Sequence, residues 1–599
     1  MKIEIDAPCT EFPTPEVDVS LSAAGEYLLL ESSGPCYTGS GMGEILEGGF
    51  LLASDGAIWN ANQGSLRALA AIAASPKAEA SPDYSCIKVP TCYLDFAVGL
   101  LTHTPGVALA LDQSTRDLLA AESAHLDKTP NLSLFAGELM PHQDEALRWM
   151  LARTKTGDGF GLLADEMGLG KTVTASAYLA ALAAELGPIR VLVVCPATVV
   201  ASWVDHLARL VPSLEVITVA GSQKSRASVV NSLFNVAVTS YGCLRRDSFA
   251  YAHTWLDCVI YDEAQALKNR SAKTHVAARR VAAPRRFALT GTPVPNSVKE
   301  LHGILTCLDE TYLGSSRTFD ARFTRPIEEE NDADAANALK WLIEPCIKRR
   351  LKEDVLDLPP KQEFEVVVDF DPTEQALYQA MEADLRNKLL QMSDEAFDEQ
   401  RAGILGALTR LRQLATSALA VDPNYEGMPS KLGLAAQMVV DLVGEGHGVV
   451  VYTLFVRGVI DPLADMLAER GVQSVQLTGS VPPPRRKELI ARFTTGEVPA
   501  MLLTSAGGEG INLQDAADVE VLLTPWWNHA LTDQAADRLH RIGQHREVRI
   551  YRLLTRGTVE ERMVQLQDRK WARTGLALAQ RGRSLTKMSR EELLRLLGV

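Results

Sequence analysis

Strand-sized apolar runs alternate with helical patterns over two long stretches of this chain. In the first, about residues 136–350, short runs rich in valine, isoleucine and leucine are separated by segments with helical spacing of apolar positions. The alternation resumes after a mostly helical stretch at about 373–418. The strand-like runs lie at 191–194, 236–238, 258–261, 287–289, 449–452, 475–477, 501–503 and 521–523. Because repeated strand–helix units build parallel sheets covered on both faces, the pattern predicts two α/β blocks in tandem.

The N-terminal part follows a different pattern. Short apolar runs such as 27–30 and 50–53 are broken by glycine, serine and proline, and one alanine-rich helical piece lies near 65–74. This indicates a small mixed or β-rich accessory domain, which could bind a protein partner, inhibit the rest of the chain or cap the first block. The predicted parts are 1–130 for this domain, 136–345 for the first block, 346–430 for a linker and helical insertion, 431–575 for the second block and 576–599 for a basic helical tail.

Composition places the chain among ordinary globular proteins. Its 599 residues are 46% hydrophobic, which is enough for several cores. No apolar run approaches the ~20 residues that a membrane helix needs. The first ten residues lack the basic and apolar pattern of a secretory signal, and the nine cysteines are scattered singly. We therefore expect a soluble protein of the cytoplasm, or of another intracellular compartment, that spans no membrane.

Charge is distributed unevenly along the chain. The formal net charge is −15, which argues against a surface built uniformly for nucleic acid. Residues 1–135 contain six lysines and arginines against 17 aspartates and glutamates, whereas residues 533–599 contain 15 against eight. A basic C-terminal part beside an acidic N-terminal part can bind phosphate groups locally despite the total. A solvated helix surface explains the basic tail equally well.

A glycine-rich segment at 164–172 stands between an apolar run and a helical pattern. Glycines let backbone N–H groups surround phosphate oxygens, and the helix N-terminus adds partial positive charge. Lys171 would then reach the β- and γ-phosphates of a nucleoside triphosphate, with the Thr172 hydroxyl on magnesium. The general pattern begins with glycine, where this chain has aspartate. The predicted nucleotide-binding residues of this segment are Asp165, Glu166, Met167, Gly168, Leu169, Gly170, Lys171 and Thr172.

Two carboxylates follow another strand-like run about ninety residues later. Asp262 and Glu263 end the run at 259–261. A carboxylate at the end of a strand near a phosphate loop can hold magnesium, and a second one can orient or deprotonate the attacking water. The turn at 290–293 follows a further strand and would connect the nucleotide site to the surface along which the protein moves. An ordinary strand-ending turn explains the same residues.

The second block contains a glycine-rich loop and an arginine pair. The loop at 503–513 lacks a Lys-Thr ending, so we expect no independent nucleotide site there. Gln534, Arg538 and Arg541 have a spacing that predicts one helical face. Two arginines so placed can reach across a cleft to the charge that develops on a γ-phosphate. Read alone, such arginines more often form a solvated helix face.

Taken in order, these motifs resemble those of the superfamily-2 helicase-like ATPases, and within them the Swi/Snf-type DNA translocases. The matching motifs are ADEMGLGKT at 164–172, DEAQ at 262–265, LTGTP at 289–293, TSAGGEGINL at 504–513 and DQAADRLHRIGQ at 533–544. The resemblance covers about residues 136–575 and implies two tandem RecA-like lobes with parallel sheets. Asp165 is the family's own residue at its position, whereas Gln265 and Glu509 depart from the common pattern.

The resemblance also implies a role for each matching position. Gln143 would contact the adenine of ATP, and Gly510 would lie near the nucleotide cleft. Thr172 and Asp262 would hold Mg²⁺. The catalytic residues implied are Lys171, Asp262, Glu263, Arg538 and Arg541. The positions expected to face the nucleic-acid backbone are Pro196, Thr198, Thr504 and Ser505.

The function implied is an ATP-hydrolysing motor on double-stranded DNA that does not separate the strands. Its lobes would alternate their grip on the backbone, so binding would depend on salt and little on sequence. Three alternatives remain: a motor on RNA or single strands, an annealing enzyme that rewinds single strands, and a DNA-binding scaffold without catalysis. Nucleosomes are not an expected substrate, because no histone-reading module is recognised in the sequence.

Overall fold

In the computed structural model of the chain, most of residues 129–598 are described. The exceptions within that range are 155–158, 231, 292–296, 331, 357, 505–510, 527–534 and 566–587. The described N-terminal residues are 17–24, 27–33, 44–46, 50–52, 58–60, 79–80, 86–90, 98, 107–113 and 115–116. No helix among these described residues is long and apolar enough to cross a membrane.

Eight short strands make up the described N-terminal part. They are β1 (Val17–Ala24), β2 (Tyr27–Ser33), β3 (Glu44–Leu46), β4 (Phe50–Leu52), β5 (Ile58–Asn60), β6 (Glu79–Ala80), β7 (Cys86–Pro90) and β8 (Val107–Leu111). Five of them form a mixed sheet in the order β6-β7-β2-β1-β8, and β3, β4 and β5 form an antiparallel sheet. The described N-terminal residues therefore form strands, while the accessory domain as a whole stays a prediction.

The first lobe is built on a parallel sheet of seven strands in the order β11-β12-β10-β13-β14-β9-β15. The strands are β9 (Gly159–Leu163), β10 (Val191–Cys195), β11 (Val216–Val219), β12 (Val236–Ser240), β13 (Cys258–Asp262), β14 (Arg285–Leu289) and β15 (Ile347–Lys348). Alternate side chains of β10 enter different cores, since Leu192 and Val194 pack on one face and Val191 and Val193 on the other. Both faces of the sheet are thus buried, as its apolar sequence predicts.

Helices cover both faces of this sheet and connect its strands. They are α1 (Pro141–Thr154), α2 (Lys171–Leu186), α3 (Val200–Leu210), α4 (Gln223–Val230), α5 (Tyr241–Ala252), α6 (Lys273–Arg279), α7 (Val298–Leu308), α8 (Ser316–Phe319), α9 (Arg325–Glu328) and α10 (Ala333–Ile343). Helices α8, α9 and α10 lead the chain back to β15, which pairs with β9 at the edge of the sheet. The chain therefore leaves the first lobe directly beside the strand that precedes the phosphate loop.

The second lobe has a parallel sheet of six strands in the order β16-β21-β20-β17-β19-β18. The strands are β16 (Lys361–Val368), β17 (Val449–Thr453), β18 (Ser474–Leu477), β19 (Ala500–Thr504), β20 (Val519–Leu522) and β21 (Val548–Thr555). Its helices are α14 (Ser430–Gly444), α15 (Ile460–Glu469) and α16 (Pro483–Thr494). Buried side chains again divide between the two faces of the sheet. Two tandem RecA-like lobes with parallel sheets, as the sequence predicts, are confirmed.

A third, helical core joins the middle of the chain to its end. Between the lobes lie the short helix α11 (Lys352–Val355) and, after β16, the long helices α12 (Pro372–Leu390) and α13 (Asp394–Thr416). The C-terminal helix α17 (Arg590–Leu596) buries leucines against these two long helices, together with Val559 and Met563. The C-terminal helix is therefore packed as part of the second half of the molecule.

Candidate nucleotide site between the two lobes

The phosphate loop lies where the sequence predicts it, between β9 and α2. Gly168 and Gly170 have φ angles of 90° and 80°, the left-handed region in which glycine carries no steric cost. A Cβ at Gly170 would lie 2.3 Å from the Gln143 amide nitrogen, so both backbone angle and space require glycine there. The loop therefore turns sharply into α2 and leaves that helix N-terminus open to an anion.

Lys171 is the first residue of α2, and its ammonium group points back into the loop. The Nζ donates to the backbone carbonyls of Asp165 at 2.7 Å and Glu166 at 3.2 Å. Burial lowers the pKa of Lys171, while the carboxylates of Glu263, Asp165 and Asp262 oppose that shift. The lysine is thus held at the centre of the loop by weak neutral acceptors, which phosphate oxygens can replace with stronger ones.

Asp165, at the position where the general pattern has glycine, forms a buried ion pair. Arg350 donates to both of its carboxylate oxygens, Nε to Oδ1 at 3.0 Å and Nη2 to Oδ2 at 2.5 Å. Asp165 is only 1% exposed and Arg350 is 9% exposed. The same guanidinium also donates to the His142 carbonyl, and the Ala164 N–H donates to the Lys348 carbonyl. Asp165 therefore ties the phosphate loop to the segment that leads into the second lobe.

Gln143 packs beneath the loop. Its amide nitrogen donates to the Leu169 carbonyl at 3.2 Å, and its amide oxygen accepts from the Met140 N–H at 3.1 Å. The side chain is buried, as is His142, whose ring also bonds to the Leu169 carbonyl. In this structure Gln143 supports the phosphate loop, and its contact with adenine stays a prediction.

Asp262 ends β13 at the same edge of the sheet as the phosphate loop, because β13, β14 and β9 are parallel and in register there. The indole N–H of Trp203 donates to its Oδ2 at 2.7 Å, and the Glu263 N–H donates to Oδ1 at 2.9 Å. Burial and the neighbouring Glu263 carboxylate raise the pKa of Asp262 to about 7. The side chain of Trp203, on α3, is buried and orients the carboxylate of this metal-binding candidate.

Glu263 has a backbone conformation that few residues adopt. Its φ of 49° is the one positive value at a non-glycine position among the described residues, and such strain is concentrated at functional sites. The Gln265 amide donates to Glu263 Oε2 at 2.8 Å and accepts from the Thr290 hydroxyl at 3.1 Å. The departure at Gln265 is therefore part of a bridge between the DEAQ and LTGTP motifs. The predicted turn residues Thr292 and Pro293 lie outside the described part of the chain.

Arg541 of the second lobe lies against the phosphate loop of the first. A Cβ added at Gly168 would lie 2.9 Å from the Arg541 Cβ, so the two backbones are in close contact. The Arg541 guanidinium bonds to the Asn512 side chain, and Arg538 donates to the Ile511 carbonyl at 3.5 Å. Burial and the nearby Arg538 charge lower the pKa of Arg541. The structure thus brings Arg541 against the phosphate loop, with the Arg538 charge close to it.

The arginines reach this cleft on turns and not on one long helix. Residues 535–536 end a helix and 537–543 form turns, so the prediction of one regular helical face is wrong there. The Arg538 carbonyl accepts from the Leu513 N–H, a tertiary bond that replaces the next helical one. Gln544 then fixes the turn, since its buried amide donates to the Ala517 and Leu539 carbonyls. Gln534 lies outside the described residues.

The predicted nucleic-acid residues lie at strand ends in both lobes. Pro196 follows β10, and Thr198 is exposed in the turn before α3. Thr504 ends β19 and is buried. Ser505, predicted to face the nucleic-acid backbone, falls outside the described part of the chain. The same holds for Gly510, predicted to lie near the nucleotide cleft. The contact of these positions with a nucleic-acid backbone stays a prediction.

The donor set fits magnesium better than a transition metal. Among the described residues no group of three or more His, Cys, Asp or Glu side chains could hold a metal ion. Magnesium commonly takes one or two protein oxygens and completes its shell with phosphates and water. Asp262 is buried with a raised pKa because the positive charge near it is insufficient, and Thr172 is the second residue of α2. A divalent cation at this carboxylate would compensate that burial.

Comparison with known proteins agrees with this site. The SNF2-related domain matches residues 142–418, and the helicase conserved C-terminal domain matches residues 431–543. A Mycoplasma pneumoniae protein named "Uncharacterized ATP-dependent helicase" is 31% identical over 466 residues, which cover 76% of this chain and 44% of that protein. The human SWI/SNF-related matrix-associated actin-dependent regulator of chromatin subfamily A member 1 is 31% identical over 494 residues, which cover 77% of this chain and 46% of the human protein.

A solved structure of similar sequence is the Sulfolobus solfataricus SWI2/SNF2 ATPase core in complex with double-stranded DNA. It is 28% identical, and the match covers 78% of this chain and 99% of that one with a TM-score of 0.40. The chain spans less than half the length of the two curated relatives named above.

Proposed function

Because the chain belongs to the SNF2-type helicase-like ATPases, we propose that it is a motor that hydrolyses ATP and moves along double-stranded DNA without separating the strands. The observation that carries this proposal is the contact between Gly168 and Arg541. It makes the nucleotide site composite, so that hydrolysis requires both lobes. A site completed by lobe closure can convert each cycle of ATP binding and hydrolysis into relative movement of the lobes.

Each side chain in the cleft would contribute to phosphoryl transfer in its own way. ATP phosphates would replace the Asp165 and Glu166 carbonyls as acceptors for Lys171. Glu263, oriented by the Gln265 amide, would accept a proton from the attacking water. Arg538 and Arg541 would stabilise the charge that develops on the transferred phosphoryl group, a contribution of about 10³–10⁵ in rate for arginine fingers.

Magnesium is the metal that this donor set would take. Asp262 and Thr172 would hold it, and it would neutralise phosphate charge when bound. Trp203 keeps the Asp262 carboxylate in place by its indole N–H. Because a hydrogen bond to the charged form favours ionisation, this bond would also keep the carboxylate available to a cation.

Double-stranded DNA is the proposed track. The human relative is named as a regulator of chromatin, in which the DNA is double-stranded. Among the candidate contact positions, Pro196 and Thr198 come after β10, Thr504 ends β19, and Ser505 is next in the sequence. We expect them to face the sugar–phosphate backbone. Backbone contacts hold a protein on the duplex and carry no base information, so we expect salt-dependent binding of any sequence. The protein would work inside the cell, where ATP and DNA are found.

The test is the ATPase rate of the full chain with double-stranded DNA, single-stranded DNA and RNA at equal nucleotide concentration. We expect strong stimulation by the duplex, a weaker response to the others, and loss of activity in Lys171→Ala. A translocation assay on the same preparation, displacement of a third strand from a DNA triplex, should require ATP and leave the underlying duplex paired. A rate indifferent to every polynucleotide would contradict the proposal.

Other outcomes of these assays identify the alternatives. Stimulation by single strands or RNA with strand separation would indicate a helicase in the strict sense. Rewinding of complementary single strands without triplex displacement would indicate an annealing enzyme. If the Lys171→Ala chain kept full activity in the cell, the protein would be a scaffold that needs no hydrolysis.

A further inference from the structure

Lys352, in the linker between the lobes, contacts both sides of the cleft. Its backbone N–H donates to the Glu166 carboxylate of the phosphate loop at 2.7 Å. Its ammonium group pairs with the Asp537 carboxylate and donates to the His540 carbonyl at 2.6 Å. A Cβ added at Gly168 would lie 3.1 Å from the Lys352 Cε, so the side chain crosses directly over the loop. One residue therefore connects the phosphate loop to the second lobe.

The two acceptors of this ammonium group stand next to the two arginines. Asp537 immediately precedes Arg538, and His540 immediately precedes Arg541. The segment that carries the arginines consists of turns, which are less constrained by internal hydrogen bonds than a helix. An anchor at both acceptors therefore determines where the arginine pair lies relative to the phosphate loop.

Burial makes this contact more costly to break on one side than a surface ion pair. The Lys352 side chain is 5% exposed and that of Asp537 is 11% exposed. Glu520, a fully buried carboxyl whose two oxygens have no hydrogen-bond partner among the described residues, lies within electrostatic range of Asp537. Without Lys352, the Asp537 carboxylate would lose this buried ion pair. Removing one partner of a buried ion pair is costly, because the charge of the other partner stays buried without compensation.

We propose that Lys352 is a positioning residue that holds the arginine segment of the second lobe against the phosphate loop. Movement of the loop on nucleotide binding is then transmitted through Glu166 to Lys352, and from Lys352 to Asp537 and the His540 carbonyl. The kinetic consequence rests on the proposed ATPase function. The structural consequence, closure of the two lobes, does not.

The kinetic test is a double-mutant cycle with Lys352→Ala, Asp537→Ala and the double variant. ATP is held mainly by the first lobe, so we expect the KM for ATP to change less than threefold. Misplacement of the arginines should lower kcat about 100-fold in each single variant. The double variant should lose no more than either single one, because both act through one contact. Lys299→Ala, which removes a lysine paired with Asp320 at 3.0 Å within the first lobe, should keep wild-type kinetics.

The structural test uses small-angle X-ray scattering of the same variants without nucleotide. Lys352→Ala and Asp537→Ala should show a larger radius of gyration than the wild type and Lys299→Ala. An unchanged radius together with losses that multiply in the double variant would overturn the proposal. If the wild type hydrolyses no ATP with any polynucleotide, the proposed function fails, while the scattering comparison still decides the role of Lys352.

Discussion

Replacement of Trp203 by phenylalanine tests whether the indole controls the ionisation of Asp262. The change keeps an aromatic ring at a position that is 1% exposed and removes the N–H that donates to Asp262 Oδ2 at 2.7 Å. This hydrogen bond favours the carboxylate form, so its loss must raise the pKa of Asp262 above the value of about 7 that burial and Glu263 already produce.

The size of the effect follows from the strength of such bonds. A hydrogen bond to a charged group contributes about 1.5–3 kcal/mol, which corresponds to a further rise of about 1–2 pKa units. At pH 7 the ionised fraction of Asp262 would fall about 5- to 50-fold. At pH 9.5 Asp262 would be largely ionised in both the wild type and Trp203→Phe, so the difference in ionised fraction should shrink there.

The assay is kcat/KM for magnesium–ATP between pH 6 and 9.5 with saturating duplex DNA. We expect the acid limb of Trp203→Phe to move to higher pH and to move back when magnesium is raised, since the cation competes with the proton. Trp149→Phe is the matched control, because its indole donates to the Pro345 carbonyl at 3.2 Å and to no carboxylate. If Trp203→Phe lowered kcat/KM by the same factor at every pH, the role assigned to Trp203 would be refuted.

Three further changes test other contacts. Asp165→Gly restores the general phosphate-loop pattern but leaves Arg350 without its buried carboxylate, so chemical denaturation should show a loss of about 3–5 kcal/mol, and an unchanged midpoint would contradict this account. Gly168→Ala places a Cβ 2.9 Å from the Arg541 Cβ at a φ of 90°, so the ATPase rate should fall at least about tenfold. Burial raises the pKa of Glu520 well above its ordinary value of 4.5, so the folded chain holds that proton more tightly than the unfolded chain and loses stability as pH rises. Because the amide does not titrate, Glu520→Gln should gain thermal stability over the wild type as pH rises from 5 to 8, and parallel melting curves would exclude this.

The fold and the two halves of the nucleotide site could be predicted because they depend on local pattern. Buried strands of a parallel sheet are apolar on both faces, and a phosphate loop needs glycines at fixed positions such as Gly168 and Gly170. Both signals are contained in a few consecutive residues. The pairing of the phosphate loop with the distant arginines was inferred from the resemblance, and the contact between Gly168 and Arg541 agrees with it.

Contacts between distant segments could not be predicted, because no local spacing encodes them. Asp165 pairs with Arg350, which stands 185 residues away in the sequence. Trp203 stands 59 residues before Asp262, and only tertiary packing brings its indole to that carboxylate. The prediction of a helical face for the arginines was wrong for a similar reason. The Arg538 carbonyl accepts from the Leu513 N–H, where a regular helix would have supplied its own donor.

The position of β15 has a mechanical consequence. This strand of two residues pairs with β9, so the chain crosses to the second lobe at the root of the phosphate loop. The connection between the lobes therefore begins close to the phosphate loop. If the lobes turn about this connection, the second lobe would act as a lever with a short arm at the γ-phosphate and a long arm at the outer surface. A small adjustment around the phosphate would be amplified with distance from that connection. In the proposed motor, a step along a duplex would then require only a slight rearrangement at the nucleotide.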